Sequence, residues 1–305
     1  MTRFRVFVAG GSGTIGIPLV RALVETGHHV TALTRSADKQ QPLLALGATP
    51  AVADALDASR LKEAVLAARP THVIHQLTAL PKDGPRRASD LVSTNRLRTD
   101  GTRNLLAAAI AAGATRFIGG SFAPMHGISP DAPAGVRAGV DAVQSMESQI
   151  LEASGAGAIE GVVLRYGLFY GPDNPATQRM LALVRRRMVP VVRNDRSLLP
   201  CIHIDDAVSA TMAALDRGAV GGVYDIVDDR AVSMTELVQA MAIFAGAPAP
   251  MVVPAWLPRL VSPFLALMAS LRLPLSNAEA KAALGWRPAF PTVQEGLAQT
   301  IARAA

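Results

Sequence analysis

The chain has 305 residues, 50% of them hydrophobic and 18% charged, which is enough for one large core or a core domain with a smaller lobe. A single cysteine, Cys201, excludes an internal disulfide and a paired-cysteine metal knuckle, and it fits a reducing, cytoplasmic setting. The net charge of +6 comes with only 4% aromatic residues, so stacking platforms for nucleic acid are scarce and none is expected as a partner.

Met1 to Gly10 reads as a short strand rather than a leader peptide, and no apolar run reaches the roughly 18 residues of a membrane span. Strand and helix patterns then alternate. Strands are expected at Phe4–Ala9, His29–Thr34, Thr49–Ala53, Thr71–Gln76, Thr115–Gly120 and Gly161–Tyr166. Between them, helices are expected at Thr14–Thr26, from a cap at Asp57 through Ala68, at Asp90–Ala112 and at Arg137–Ala153. After Gly171 the prolines 172, 175, 190 and 200 break the pattern. A strand Ile202–Asp206, a helix Ala207–Asp216 and a strand Val223–Val227 follow, then helices Met234–Ala245, Trp256–Leu271 and Pro291–Ala304. Arg185, Arg186, Arg187, Arg193 and Arg196 read as a solvated helix face.

This order predicts an α/β fold: a Rossmann doubly wound parallel sheet with a smaller, mostly helical C-terminal substrate lobe. Residues 1–170 are expected to bind a dinucleotide, with 201–227 returning to that domain, while 171–200 and 228–305 form the lobe.

The sharpest motif is Gly10-Gly-Ser-Gly13-Thr14-Ile15-Gly16, placed between a strand and a helix. Gly10 makes the tight turn, Gly13 lets backbone approach a pyrophosphate, and Gly16 permits close helix–strand packing. At the end of the second strand, sites that prefer NAD(H) carry a carboxylate for the ribose 2′-hydroxyl. Here Thr34 is followed by Arg35 and Ser36, a guanidinium between two hydroxyls, which favours the 2′-phosphate of NADP(H) over NAD(H). Asp54, beside Ala55, either accepts from the adenine amino group or serves as a helix cap.

The glycine turn and Asp54, His75-Gln-Leu-Thr-Ala79, Asn95, Gly101-Thr-Arg-Asn-Leu-Leu106, Leu164-Arg-Tyr-Gly-Leu-Phe-Tyr-Gly-Pro172, His203-Ile-Asp-Asp206 and Leu284-Gly-Trp-Arg-Pro288 together resemble the extended short-chain dehydrogenase/reductases, the NAD-dependent epimerase/dehydratase group. The resemblance implies that Leu77, Thr78 and Ala79 line the cofactor. It also implies that Asn95 sits on the helix behind the active site and that backbone near Tyr166 meets the nicotinamide. A homodimer is implied too, its helices Asp90–Ala112 and Arg137–Ala153 pairing with their mates as a four-helix bundle.

The departure lies in the proton relay. The family uses a Tyr-x-x-x-Lys pair with an upstream serine or threonine. None of Tyr166, Tyr170 and Tyr224 has a lysine four residues on, and no lysine lies between Lys82 and Lys281. Counting back from Glu147, the tyrosine slot falls on Gly139 and the lysine slot on Val143, while the serine slot falls on Phe122, one residue past Ser121. Three residues remain as catalytic candidates: His126, Ser121 and Tyr166. Histidine moves protons near neutral pH. His203, Asp205 and Asp206 read as the opening of a helix rather than metal ligands, and no metal is expected. Met251–Leu273 reads either as a lid over an apolar substrate or as ordinary packing. The leading functional expectation is an NADP(H)-dependent oxidoreductase acting on a small, fairly apolar, carbonyl-type molecule. The alternatives are a redox-neutral epimerase or dehydratase with bound cofactor, and a non-catalytic NADP sensor.

Overall fold

The computed structural model describes residues 3–81, 85, 87–254, 256–257 and 271–302, with the side chains of 300–302 excepted. Seven strands form one parallel sheet: β1 Arg5–Ala9, β2 His29–Thr34, β3 Thr49–Val52, β4 His72–His75, β5 Arg116–Phe122, β6 Glu160–Tyr166 and, late in the chain, Val223–Ile226. In space the order runs from Val223–Ile226 through β6, β5, β4, β1 and β2 to β3. The order reverses between β1 and β4, and in doubly wound sheets the ligand crevice opens at that reversal, beyond the strands' carboxyl ends.

Strand periodicity builds two cores. Val6, Val8, Val30, Ala32, Ile74, Ile118, Val162 and Leu164 bury on one face of the sheet. They pack against α1 (Gly16–Glu25) and the helix Ile204–Arg217. The alternate residues Phe7, Leu33, Val73, Phe117 and Val163 bury on the other face. There they meet helices Ala58–Ala68, Thr102–Ala111 and Ala134–Gly155. Near-continuous apolar strands are what a parallel sheet covered on both faces requires.

Between β2 and β3 lies the short helix α2 Gln40–Ala45, which the sequence patterns did not suggest. The Ala58–Ala68 helix is α3, capped as expected by Asp57 accepting from Arg60 N–H at 3.1 Å. The expected helix Asp90–Ala112 is broken into four pieces: a 3₁₀ turn Ala88–Leu91, α4 Val92–Arg96, a π turn Leu97–Gly101 and α5 Thr102–Ala111. Helix α6, Ala134–Gly155, starts three residues before the expected Arg137 and ends two past Ala153.

Past β6 the chain makes β7 Leu168–Tyr170, helix α7 Pro175–Arg185 and strand β8 Val191–Val192. It continues with β9 Cys201–His203 and α8 Ile204–Arg217. The expected strand Ile202–Asp206 is thus corrected: it stops at His203, whose Nδ1 accepts from Asp205 N–H at 3.2 Å and opens α8. β9 pairs with β7 outside the main sheet, whereas the next strand, β10 (Val223–Ile226), joins β6. Helix α9 Met234–Phe244, strand β11 Val252–Val253 and helices α10 Ala278–Leu284 and α11 Val293–Ala302 complete the chain. A third core joins α7, α9, α11, β8 and β9 through Leu181, Val184, Val191, Met241 and Leu297. The expected helix Trp256–Leu271, and with it the choice between lid and packing, lies largely outside the described residues.

Candidate functional site

The switch point is crowded by backbone alone. Gly10 takes φ +88°, and a Cβ there would come within 2.5 Å of the Gln76 carbonyl oxygen on the loop after β4. A Cβ on Gly16 would lie 2.7 Å from the Gly11 carbonyl carbon. Gly13 and Thr14 are exposed at the rim, Ile15 and Gly16 are buried, and no side chain caps α1. A bare helix N-terminus beneath an open glycine turn leaves N–H donors and a positive dipole end for an anion. These residues fit a dinucleotide pyrophosphate.

Thr34 is buried, with its hydroxyl accepting from Ser12 Oγ at 3.2 Å and from Ser36 N–H at 3.3 Å. It therefore ties β2 to the glycine turn. Arg35 beside it is exposed. The Ser36 hydroxyl donates to Asp38, whose carboxyl is held below the usual carboxylate range chiefly by that bond. Asp54 is exposed and turns the chain by accepting from Leu56 N–H at 2.9 Å. Ala55 is buried, its carbonyl accepting from Asn104 at 3.0 Å. After β4, Leu77 and Ala79 are half-buried and Thr78 is exposed. Ala79 N–H donates to Thr94 Oγ1 on α4 at 2.8 Å, which holds that segment against the helix carrying Asn95.

The three catalytic candidates separate. Ser121 and His126 converge on one carboxylate, Glu147 of α6. Ser121 donates to Glu147 Oε1, and His126 Nε2 lies 2.9 Å from the same oxygen. Arg165 of β6 completes the group, its Nη2 reaching Oε2 at 2.6 Å. Burial alone would push the Glu147 carboxyl up, but hydrogen bonds from His126, Arg165 and Ser121 outweigh it and bring it down to about 2. The buried carboxylate orients the ring of the partly exposed histidine. Glu147 and Arg165 were not singled out as functional from the sequence. Strand register carries the signal, since Ser121 pairs with Arg165 directly and Arg165 with Asp225.

Tyr166 stands apart from this group. It is 2% exposed, and its hydroxyl is shared between Thr211 at 2.7 Å and Gln76 at 3.0 Å. Burial pushes that hydroxyl up to about 12, so it holds its proton and braces β6 against α8. Gly139 and Val143, the slots of the missing pair, face an apolar patch. Val143 is fully buried with Leu91 and Met125, and a Cβ on Gly139 would meet the Leu91 and Met125 side chains at 3.4 and 3.6 Å.

Asp206 opens α8 and accepts from Ala289 and Phe290 N–H at 2.7 and 2.9 Å, so the expected structural role of His203-Ile-Asp-Asp206 has a specific partner in the segment after α10. Among the described residues no group of three or more histidine, cysteine or acidic side chains is placed to hold a metal, and no helix is long and apolar enough to cross a membrane.

The family model for NAD-dependent epimerases and dehydratases matches residues 6–227. A 3-diazoavenalumate denitrifying reductase from a Streptomyces species is 37% identical, over 96% of this chain and 99% of that protein. A dihydroquinoline-oxide ketoreductase from Stigmatella aurantiaca is 30% identical, over 75% of this chain and 70% of its own. In structure, the NAD complex of Thermus thermophilus UDP-glucose 4-epimerase superposes with a TM-score of 0.76 at 23% identity, covering 97% of both chains.

Proposed function

The chain belongs to the NAD-dependent epimerase/dehydratase family and is an oxidoreductase-type enzyme; from there we propose that it is an NADP(H)-dependent reductase delivering hydride to a small, largely apolar substrate at a carbon that needs no proton from the protein. The observation behind this reading is the apolar patch at Gly139, Val143, Leu91 and Met125, where the family's acid would stand.

A bound nicotinamide supplies hydride. Reduction of a carbonyl consumes one hydride and one proton, so it needs an acid. Reduction at a diazonium-bearing carbon consumes one hydride, breaks the C–N bond, forms a C–H bond and releases dinitrogen, with no net proton taken up. That chemistry suits a site without the tyrosine–lysine pair, and the Streptomyces relative is named for reductive removal of nitrogen from a diazo compound. In this reading the chain's residues hold and orient. The glycine turn receives the pyrophosphate, Arg35 clamps the 2′-phosphate, and Leu91, Met125 and Val143 keep water from the reacting carbon. A redox-neutral cycle needs an acid–base group in both of its halves, which Gly139 and Val143 do not provide.

A second reading keeps the carbonyl substrate. It rests on His126, which is 21% exposed at its side chain and oriented by Glu147, and on the ketoreductase relative. One experiment separates the two. The protein is given NADPH deuterated at its transferable position with an aryl diazonium salt or an aryl ketone. Deuterium at the carbon that lost nitrogen, at a rate unchanged by His126→Ala, is the expected result. Turnover confined to the ketone, and lowered at least about tenfold by His126→Ala, favours the carbonyl reading. Binding of NADPH without turnover on either class favours the sensor.

A further inference from the structure

Helix α4 and the π turn after it bury two polar atoms that have no partner among the described residues, Asn95 Oδ1 and Arg98 Nη1. They lie one turn apart, three residues along the chain, so they share a helix face. Arg98 is 6% exposed. Burial lowers its pKa to about 10. A titratable neighbour is His75, fully buried and neutral because burial, reinforced by Arg98, brings it down to about 4. An uncompensated guanidinium in the interior is costly, and so is an unpaired amide oxygen. Wide π turns recur where a helix is reshaped around a functional site. This one starts three residues after Thr94, which holds Ala79 N–H of the segment at the switch point.

We propose that Arg98 and Asn95 receive the nicotinamide ribose of the bound dinucleotide, the guanidinium donating to one hydroxyl oxygen and Asn95 Oδ1 accepting from the neighbouring hydroxyl. A phosphate would satisfy Arg98 but offers Asn95 Oδ1 no proton. A vicinal diol offers both an acceptor and a donor at the spacing of adjacent hydroxyls. Arg98 thereby becomes the positioning cation of the site, in a chain with no lysine at Val143. The inference rests on the dinucleotide reading above, and its test separates the two.

NADPH and 2′,5′-ADP, which lacks the nicotinamide ribose, are titrated by calorimetry into the wild type and into Arg98→Met, Arg98→Lys and Asn95→Ala. Arg98→Met is expected to weaken NADPH about tenfold while 2′,5′-ADP stays within about twofold, and Arg98→Lys to recover most of the loss. Asn95→Ala, at a half-buried position that tolerates truncation, is expected to weaken NADPH about threefold and to leave 2′,5′-ADP unchanged. Unchanged NADPH affinity in Arg98→Met and Asn95→Ala means that an ordered water bridges the two atoms, and overturns the proposal. Equal losses for both ligands mean a structural role, and overturn it as well. A wild type that binds neither nucleotide, nor NADH, overturns the dinucleotide reading itself.

Discussion

Glu147 shows how one side chain ties stability to the site. Its carboxylate is buried, yet three donors hold it far below the ordinary glutamate range. A carboxyl lowered on folding stabilises the protein above its unfolded value, and that stabilisation is lost as pH falls from about 4.5 towards 2. Removing the arginine partner is worse than lowering the pH, because the charge stays buried. Arg165→Ala is expected to cost about 3–5 kcal/mol in denaturant unfolding, whereas Arg165→Ala combined with Glu147→Leu recovers part of it. A single Arg165→Ala loss under about 1 kcal/mol would show that the pair behaves like a surface contact. Arg35 is exposed, and in the proposed reading its role is confined to the cofactor. Arg35→Ala is expected to weaken NADPH by about tenfold or more and to leave NADH nearly unchanged, since a charge-assisted pair to phosphate is lost and nothing else moves. Equal losses in parallel titrations would remove the 2′-phosphate assignment.

Among elements, the region after β6 shows what the sequence concealed. Pro175 looks like a breaker in a run already rich in proline. In the fold it occupies the first turn of α7, where its missing N–H costs nothing, and Asn174 caps the helix by accepting from Ala176 N–H at 2.9 Å. Helix α10 was hidden for a similar reason: it spans seven residues, too short for two turns of periodicity to register. The strands and their flanking helices were legible because both sheet faces are buried and the apolar runs are long. The glycine turn was legible from spacing alone, since backbone clearance at Gly10 and Gly16 demands it. The Glu147 cluster was not, because it depends on register between β5 and β6, which no local pattern encodes. Nor was the junction at Asp228, just after β10. That carboxyl is 3% exposed, accepts from the Tyr170 hydroxyl at 3.0 Å, and burial pushes it up to about 8. A carboxyl raised on folding stabilises the folded state in its protonated form. The contribution is full below the unfolded value near 4 and is lost as pH rises to about 8. The wild type is therefore expected to melt at a lower temperature at pH 8 than at pH 5.5, and Asp228→Asn to flatten that fall. A melting temperature that rises over this interval, or an identical fall in Asp228→Asn, would assign the pH dependence to other groups.

For the whole molecule, the question is what covers the outer face of α5 and α6. A shallow groove runs between them, floored by Leu106, Ala107, Ile110 and Ala153 and edged by Arg103, Ser145, Gln149 and Glu152. Ile110 is 39% exposed there, on a helix whose other face is fully packed. Small residues at its centre allow close helix approach, and the edge carries both signs of charge, so a two-fold copy can bring Arg103 towards its mate's Glu152. We propose a homodimer built on this face. The glycine turn and the Glu147 cluster are formed within one chain, so the proposed cofactor binding is expected not to depend on the pairing. Multi-angle light scattering is expected to give twice the chain mass at about 10 µM, because a specific interface of ordinary size holds at that concentration. Ile110→Glu places a charge in the groove beside its own symmetry mate and is expected to give monomers with NADPH affinity unchanged. A monomeric wild type, or an Ile110→Glu protein that stays dimeric, would place the interface elsewhere or remove it.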